Sequence, residues 1–170
     1  MNKTVLLIAS GVAAFLSQVW VFDYALLFGA LNPYPYFFWI LLLPPDFDKR
    51  LLLALAFLLG LGVDAFNDTG GLHAAACTAI AFARPWFIRL IATQGGLEFE
   101  RLGLYDLGFR RFAVYAGIAT LAHHFLLYTL EAFSWRLMGR VLLFTVVGGI
   151  LTFLVALLIL LPFRKTISSR

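Results

Sequence analysis

From Val141 to Phe163 the chain runs through 23 residues without a charged side chain. A bilayer's hydrocarbon core is about 30 Å thick, and an α-helix needs about 20 apolar residues to cross it. No water is present at that depth, so each backbone N–H and C=O must be paired inside the protein, and helices do this. Five further stretches have a comparable character. The expected spans are about 4–22, 25–44, 51–67, 71–92, 111–131 and 140–163. The expected fold class is therefore an all-α integral membrane protein, a six-transmembrane-helix bundle forming a single membrane domain over 1–170. The first span follows a lone Lys3 and is read as a retained helix rather than a cleaved signal peptide. Only 13% of residues are charged and 62% are hydrophobic; a soluble domain carries about 25% charged residues. At 19.0 kDa the loops leave no room for a soluble catalytic domain.

Two spans are irregular. The second contains Asn32-Pro33-Tyr34-Pro35-Tyr36 and stops at Pro44-Pro45. Proline removes a helix donor and disfavours helix in the residue before it, so this span is expected to be discontinuous. The third reaches Asp64 after a short apolar run and must lie nearly upright, in thinned membrane, or behind its neighbours.

Lys and Arg in short loops report orientation. With the N-terminus inside, the inner side holds Lys3, Lys49, Arg50, Arg89, Arg101, Arg110, Arg111, Arg164, Lys165 and Arg170, and the outer side only Arg136 and Arg140. Both termini are thus expected in the cytoplasm, with the turn between spans three and four outside. The loop 93–108 mixes acid, base and apolar residues and suits a short interfacial helix. The net charge of +4 is a topology signal. No basic patch interleaved with exposed aromatics points to nucleic acid.

Polar residues inside such a chain are the candidates for function. Asp64 and Asp68 stand one turn apart with Asn67 between them, Gly70-Gly71 after them, and His73 just inside the next span. Three readings are open: a hydrated turn that caps the third helix, a polar knot that fixes the loop for a partner, and a cation site. The last lacks an obvious fourth ligand. Arg84 lies within the fourth span beside Pro85. It is expected to face the interior, a cavity or a partner, or to snorkel toward the Arg89 side; the carbonyl that Pro85 frees near Ala81 is a candidate partner for Arg84 or Thr78. His123 and His124 are adjacent in span five, about 100° apart, so both cannot face one site; one is expected in the bundle as a neutral hydrogen-bonded group. Cys77 is the single cysteine, which excludes a disulfide framework and a cysteine metal site. Ala9-x-x-x-Ala13, with Ser10 and Ser17 nearby, makes a small-residue face suited to helix packing. Trp20, Tyr24, Tyr34, Tyr36 and Trp39 fit interface anchors in part, and Tyr34, Tyr36 and Trp39 alternatively line a pocket. No nucleophile–base pair, phosphate loop or paired in-membrane carboxylate emerges, so no enzyme, cofactor or metal is expected.

The order of short motifs resembles one family. Asn32-Pro33-Tyr34 precedes the proline stop; Ala56 to Phe66 reads AFLLGLGVDAF; Asp68 to Ala74 reads DTGGLHA; and Ala81, Phe82, Arg84 and Pro85 form A-F-x-R-P. Over roughly 25–135 this looks like MreD, the small membrane protein of the bacterial rod-shape system, and through Asn32-Pro33-Tyr34 and His123-His124 it resembles the Bacteroidetes-like variant in particular. The resemblance implies a non-enzymatic scaffold in the bacterial inner membrane. Its direct partner would be MreC, in a complex with the RodA glycosyltransferase, a class B penicillin-binding protein and MreB filaments, surrounded by membrane lipid and possible as a homo-oligomer. It also implies a fold like the six-helix S components of energy-coupling-factor vitamin transporters. On this reading Asp64 fixes the outer loop, with His73, Arg136 or Arg140 as the compensating donor.

A second reading follows from the same likeness. The chain would be a small-molecule (vitamin) binding subunit, docking through the Ala9-x-x-x-Ala13 face, with an outward pocket of Tyr34, Tyr36, Trp39, Asp64 and His73. A proton-coupled carrier is disfavoured, because His123 and His124 have no acid at their depth.

Overall fold

The computed structural model describes residues 3–25, 31–92 and 100–163. Its helices are α1 (Lys3–Ser17), α2 (Phe38–Leu42), α3 (Lys49–Asn67), α4 (Leu72–Ile91), α5 (Leu104–Leu107), α6 (Phe109–Ala132) and α7 (Met138–Leu160). A π-helical turn, Gln18–Phe22, extends α1, and single 3₁₀ turns precede α2 and α7. Among the described residues, five segments are long and apolar enough to cross a membrane: Val5–Phe22, Lys49–Asn67, Leu72–Ile91, Phe109–Ala132 and Trp135–Leu160. Large apolar side chains on their outer faces are exposed, among them Val5, Ile8, Leu58, Leu154 and Leu158. Such a surface is compatible with lipid and not with water, and the chain is a multi-pass membrane protein.

The expected six long helices are corrected to five among the described residues, and with them the six-helix S-component-like fold. The second expected span, 25–44, is the one that fails. Its described part runs through Asn32 and Pro33, a 3₁₀ turn at Pro35–Phe37, and five residues of α2. The prolines at 33, 35, 44 and 45 prevent a continuous helix. The segment is instead the centre of the bundle: Tyr36, Phe37, Phe38, Ile40 and Leu41 are all buried. Broken backbone is tolerated at membrane depth only when protein surrounds it.

Contacts fix the direction of each element. The Asn67 side chain at the end of α3 donates to Asp23 after α1 (2.9 Å), so α1 and α3 run parallel. The broken segment must therefore return between them. It starts beside Gln18 and Asp23, bonded through Pro33 O and Asn32, and its Leu43 and Pro44 carbonyls meet Arg84 far along α4. α4, α6 and α7 follow antiparallel, each packed on the one before. The cations Lys49, Arg50, Arg89, Arg101, Arg110 and Arg111 collect at one end, called here the Lys49 end; Arg136 and Arg140 lie at the other, the Asp23 end. Arg164, Lys165 and Arg170 fall outside the described residues.

Local signals account for the element boundaries. Asp48 caps α3 by accepting from Leu51 N (2.8 Å). The helix ends where Asp68 adopts left-handed φ of 53°, followed by Gly70 and Gly71 at 62° and 100°. In the loop 93–108, residues 93–99 lie outside the described residues. The remainder holds short α5 against the core through Leu102, Leu104 and Leu107, with Tyr105 and Asp106 exposed.

Candidate functional site

Asp64 lies in the last turn of α3, where its charge opposes the helix dipole. The structure places the start of α4 directly beside it. Asp64 Oδ1 accepts from His73 N (3.0 Å) and Oδ2 from Ala74 N (2.8 Å), and the Thr69 hydroxyl donates to Oδ1 as well. These two amides are among the four that any helix start leaves unpaired. The residue at the N-cap is Gly71, which has no side chain to offer. Asp64 therefore caps the next helix, and the favourable end of α4's dipole offsets the unfavourable end of α3's.

Gly60 makes this possible. A Cβ there would lie 2.5 Å from both Ala74 Cα and His73 O, so the two helix backbones touch at that point. Of the expected donors to Asp64, His73 does donate, through its main-chain N–H; the others are the Thr69 hydroxyl and Ala74 N, not Arg136 or Arg140. The Asp64–Asp68 pair is corrected too. Asp68 is the left-handed residue after the helix and is exposed, whereas Asp64 is buried.

Below this cap is a buried polar cluster. The Tyr36 hydroxyl lies 2.9 Å from His73 Nδ1, 3.2 Å from Cys77 Sγ and 3.4 Å from His123 Nε2. One consistent assignment has Tyr36 donating to His73 and accepting from Cys77 and His123, which leaves His123 Nδ1 with no partner. The His123 ring stacks on Phe37 at 4.2 Å and 5°. His124 points the other way. Its Nδ1 faces the Thr120 carbonyl (2.9 Å), an acceptor, so Nδ1 carries the hydrogen. Thr152 accepts from Tyr34 N (3.0 Å) and gives its own hydrogen to His124 Nε2 (3.0 Å). Both histidines are thus held inside the bundle: α6 sits between α4 and α7, with His123 facing Tyr36 and Cys77 and His124 facing Thr152 of α7. Among the described residues no group of three or more His, Cys, Asp or Glu side chains is arranged to hold a metal ion.

Arg84 is 2% exposed. Its Nε donates to Tyr115 OH (3.2 Å), and Nη2 reaches the carbonyls of Leu41 (3.5 Å), Leu43 and Pro44 (3.1 Å); Tyr115 OH also donates to Leu41 O (2.9 Å). The Leu41 and Leu43 carbonyls find no helical donor because α2 stops at the prolines, while Pro44 O also accepts from Phe47 N (3.2 Å). Arg84 thus closes the broken segment at the Lys49 end, the place where a cation suits a helix C-terminus. It turns inward rather than snorkelling, and it does not serve the carbonyl of Ala81. Thr78 donates to Ala74 O instead (2.7 Å).

Asn32 donates to Asp23 O (3.2 Å), and Pro33 O accepts from Gln18 (3.2 Å), so both fasten the start of the broken segment to α1. Of the five residues expected to share a pocket, Tyr34 and His73 pack edge to face in the core (5.1 Å), and the carboxylate of Asp64 is occupied by its cap. Trp39 faces α1 instead. Its Nε1 donates to Ser10 (3.0 Å), and its ring lies 2.8 Å from where a Gly11 Cβ would stand. Tyr36 and Trp39 do share the floor of a groove between α1 and α7, of about 520 Å³. Sequence reasoning missed Gly60, Thr69, Tyr115, Gln18 and Thr152 as partners. Only the glycine, two residues from Gly62 in an otherwise apolar helix, carried a readable signal.

The chain matches no protein-family model, no curated protein and no solved structure.

Proposed function

We propose that this chain is a non-enzymatic scaffold subunit of the MreD type, in the bacterial inner membrane, which holds the single transmembrane helix of an MreC-like partner. On this reading it supports lateral wall synthesis with RodA, a class B penicillin-binding protein and MreB filaments. The order of motifs in the sequence suggests the family. The observation that carries the reading is the groove between α1 and α7. Ala13, Ala14 and Ser17 form one wall, Ala156 and Ile159 the other, and the broken segment forms the floor. Small side chains let a further helix approach closely in lipid, where close packing rather than the hydrophobic effect drives association. Ala9 and Ala13 are both exposed, and so present the small-residue face outward.

Co-expression with a tagged MreC-like protein followed by affinity purification tests this. The pair is expected to co-purify, and Ala13→Trp or Ser17→Trp to abolish co-purification while Cys77 stays protected from thiol reagents, as an intact bundle requires. Undiminished recovery of MreC with both variants overturns the assignment of the groove. Mutual cross-linking of two copies of this chain through it, in place of MreC, overturns the partner.

A further inference from the structure

The cap on the broken segment uses only part of Arg84. A guanidinium carries five N–H donors. Nε is taken by Tyr115 and Nη2 by main-chain carbonyls, and Nη1 has no partner among the described residues. All of its partners are neutral oxygens, so the charge of a nearly fully buried arginine is met by dipoles alone. A buried charge is ordinarily paired.

Arg84 lines a cavity of about 160 Å³ between the Pro44-Pro45 turn, α3 and α4. Lys49 supplies the second positive charge, and Pro45, Phe47, Leu52 and Ile88 supply apolar walls. The volume is roughly that of five water molecules, enough for a small tetrahedral anion and too small for a whole lipid. Arg84 stands five residues before Arg89, about 7.5 Å along the helix, which is just beneath the charged surface of the Lys49 end. Arg50 and Arg89, both exposed, flank that surface. Two acids are close in sequence. Asp48 is engaged as the cap of α3, and Asp46 is exposed and does not line the cavity.

We propose that this cavity seats the phosphate of an anionic phospholipid from the leaflet at the Lys49 end, with Arg84 Nη1 and Lys49 as its donors. The headgroup phosphate enters between the two cations. The acyl chains leave over Phe47 and Ile88, the partly exposed apolar residues of the lining. A surface rich in Lys and Arg draws anionic lipid toward it, and the unpaired donor holds it at one place. The site is independent of the groove on α1.

Thermal unfolding of the full chain in neutral detergent, with added phosphatidylglycerol, phosphatidylcholine or inorganic phosphate, tests this. Phosphatidylglycerol is expected to raise the melting temperature, and the other two to leave it unchanged. The cavity-filling Ile88→Trp and the rim variant Lys49→Ala leave the cap of Arg84 intact; both are expected to keep the lipid-free melting temperature and lose most of the phosphatidylglycerol shift. An equal shift from phosphatidylcholine, or a phosphatidylglycerol shift undiminished in both variants, overturns the proposal. A shift reproduced by inorganic phosphate alone overturns the lipid and assigns a free anion.

Discussion

Replacing Gly60 with alanine tests how the cap on α4 is built. The added Cβ would sit 2.5 Å from Ala74 Cα, 2.5 Å from His73 O and 2.6 Å from Ala74 N. All three are main-chain atoms, so no side chain can rotate to make room. Ordinary contact begins near 3.4 Å, so the first turn of α4 must retreat by about 0.9 Å. The retreat is away from α3, and Asp64 is on α3. Its bonds to His73 N and Ala74 N, now 3.0 and 2.8 Å, would lengthen past the normal range. Overpacking costs about 1–3 kcal/mol, and weakening two bonds to a carboxylate adds about 1–2 kcal/mol. The expected loss is about 2–5 kcal/mol in equilibrium unfolding in mixed dodecyl sulfate micelles. Two neighbours serve as controls. A Cβ at Gly62 meets only the edge of the Phe15 ring (2.9 Å), which can turn, and one at Gly117 meets nothing within 4 Å. Gly62→Ala should cost less than Gly60→Ala, and Gly117→Ala should not destabilise. Gly60→Ala within about 0.5 kcal/mol of the parent, or no more costly than Gly62→Ala, would refute the close-approach argument.

Asp64→Ala leaves two buried amides and the Thr69 hydroxyl unpaired and should cost about 3 kcal/mol; Asp64→Asn retains one acceptor and should cost about half that, by the same unfolding assay. Arg84→Lys is expected to destabilise nearly as much as Arg84→Gln, by about 2–4 kcal/mol, because one ammonium cannot span Tyr115 and the carbonyls of Leu41, Leu43 and Pro44. Tyr36→Phe removes the hydroxyl shared by His73, Cys77 and His123, for about 1–3 kcal/mol. In the parent, maleimide should react with Cys77 only on the time scale of global unfolding, since the thiol is fully buried.

The apolar runs made the long helices legible, because length and composition alone decide what can cross lipid. The prolines at 33, 35, 44 and 45 announced a break, yet gave no sign that the broken piece occupies the middle of the bundle. That depends on Arg84 and Tyr115, which lie 40 and more residues away in the chain and answer carbonyls that no sequence pattern displays. The Asp64 turn was read as polar and structurally important, with His73 rightly among its donors but Arg136 and Arg140 wrongly so. Side-chain donors are visible in a sequence; the main-chain amides of residues 73 and 74 become donors only because Gly60 lets two helices meet. The 3.6-residue period showed that His123 and His124 point apart, and it did not reveal that α6 has a buried neighbour on each side.

The central claim is that residues 31–43 cross the membrane although they are not one helix. Single cysteines at Tyr24 and Asp46, both exposed, measure this directly, with buried Cys77 as an internal silent site. In intact cells a membrane-impermeant maleimide is expected to label Tyr24→Cys and, only after permeabilisation, Asp46→Cys. Labelling of both positions from the same side would place the whole segment on one face of the bilayer and contradict the account.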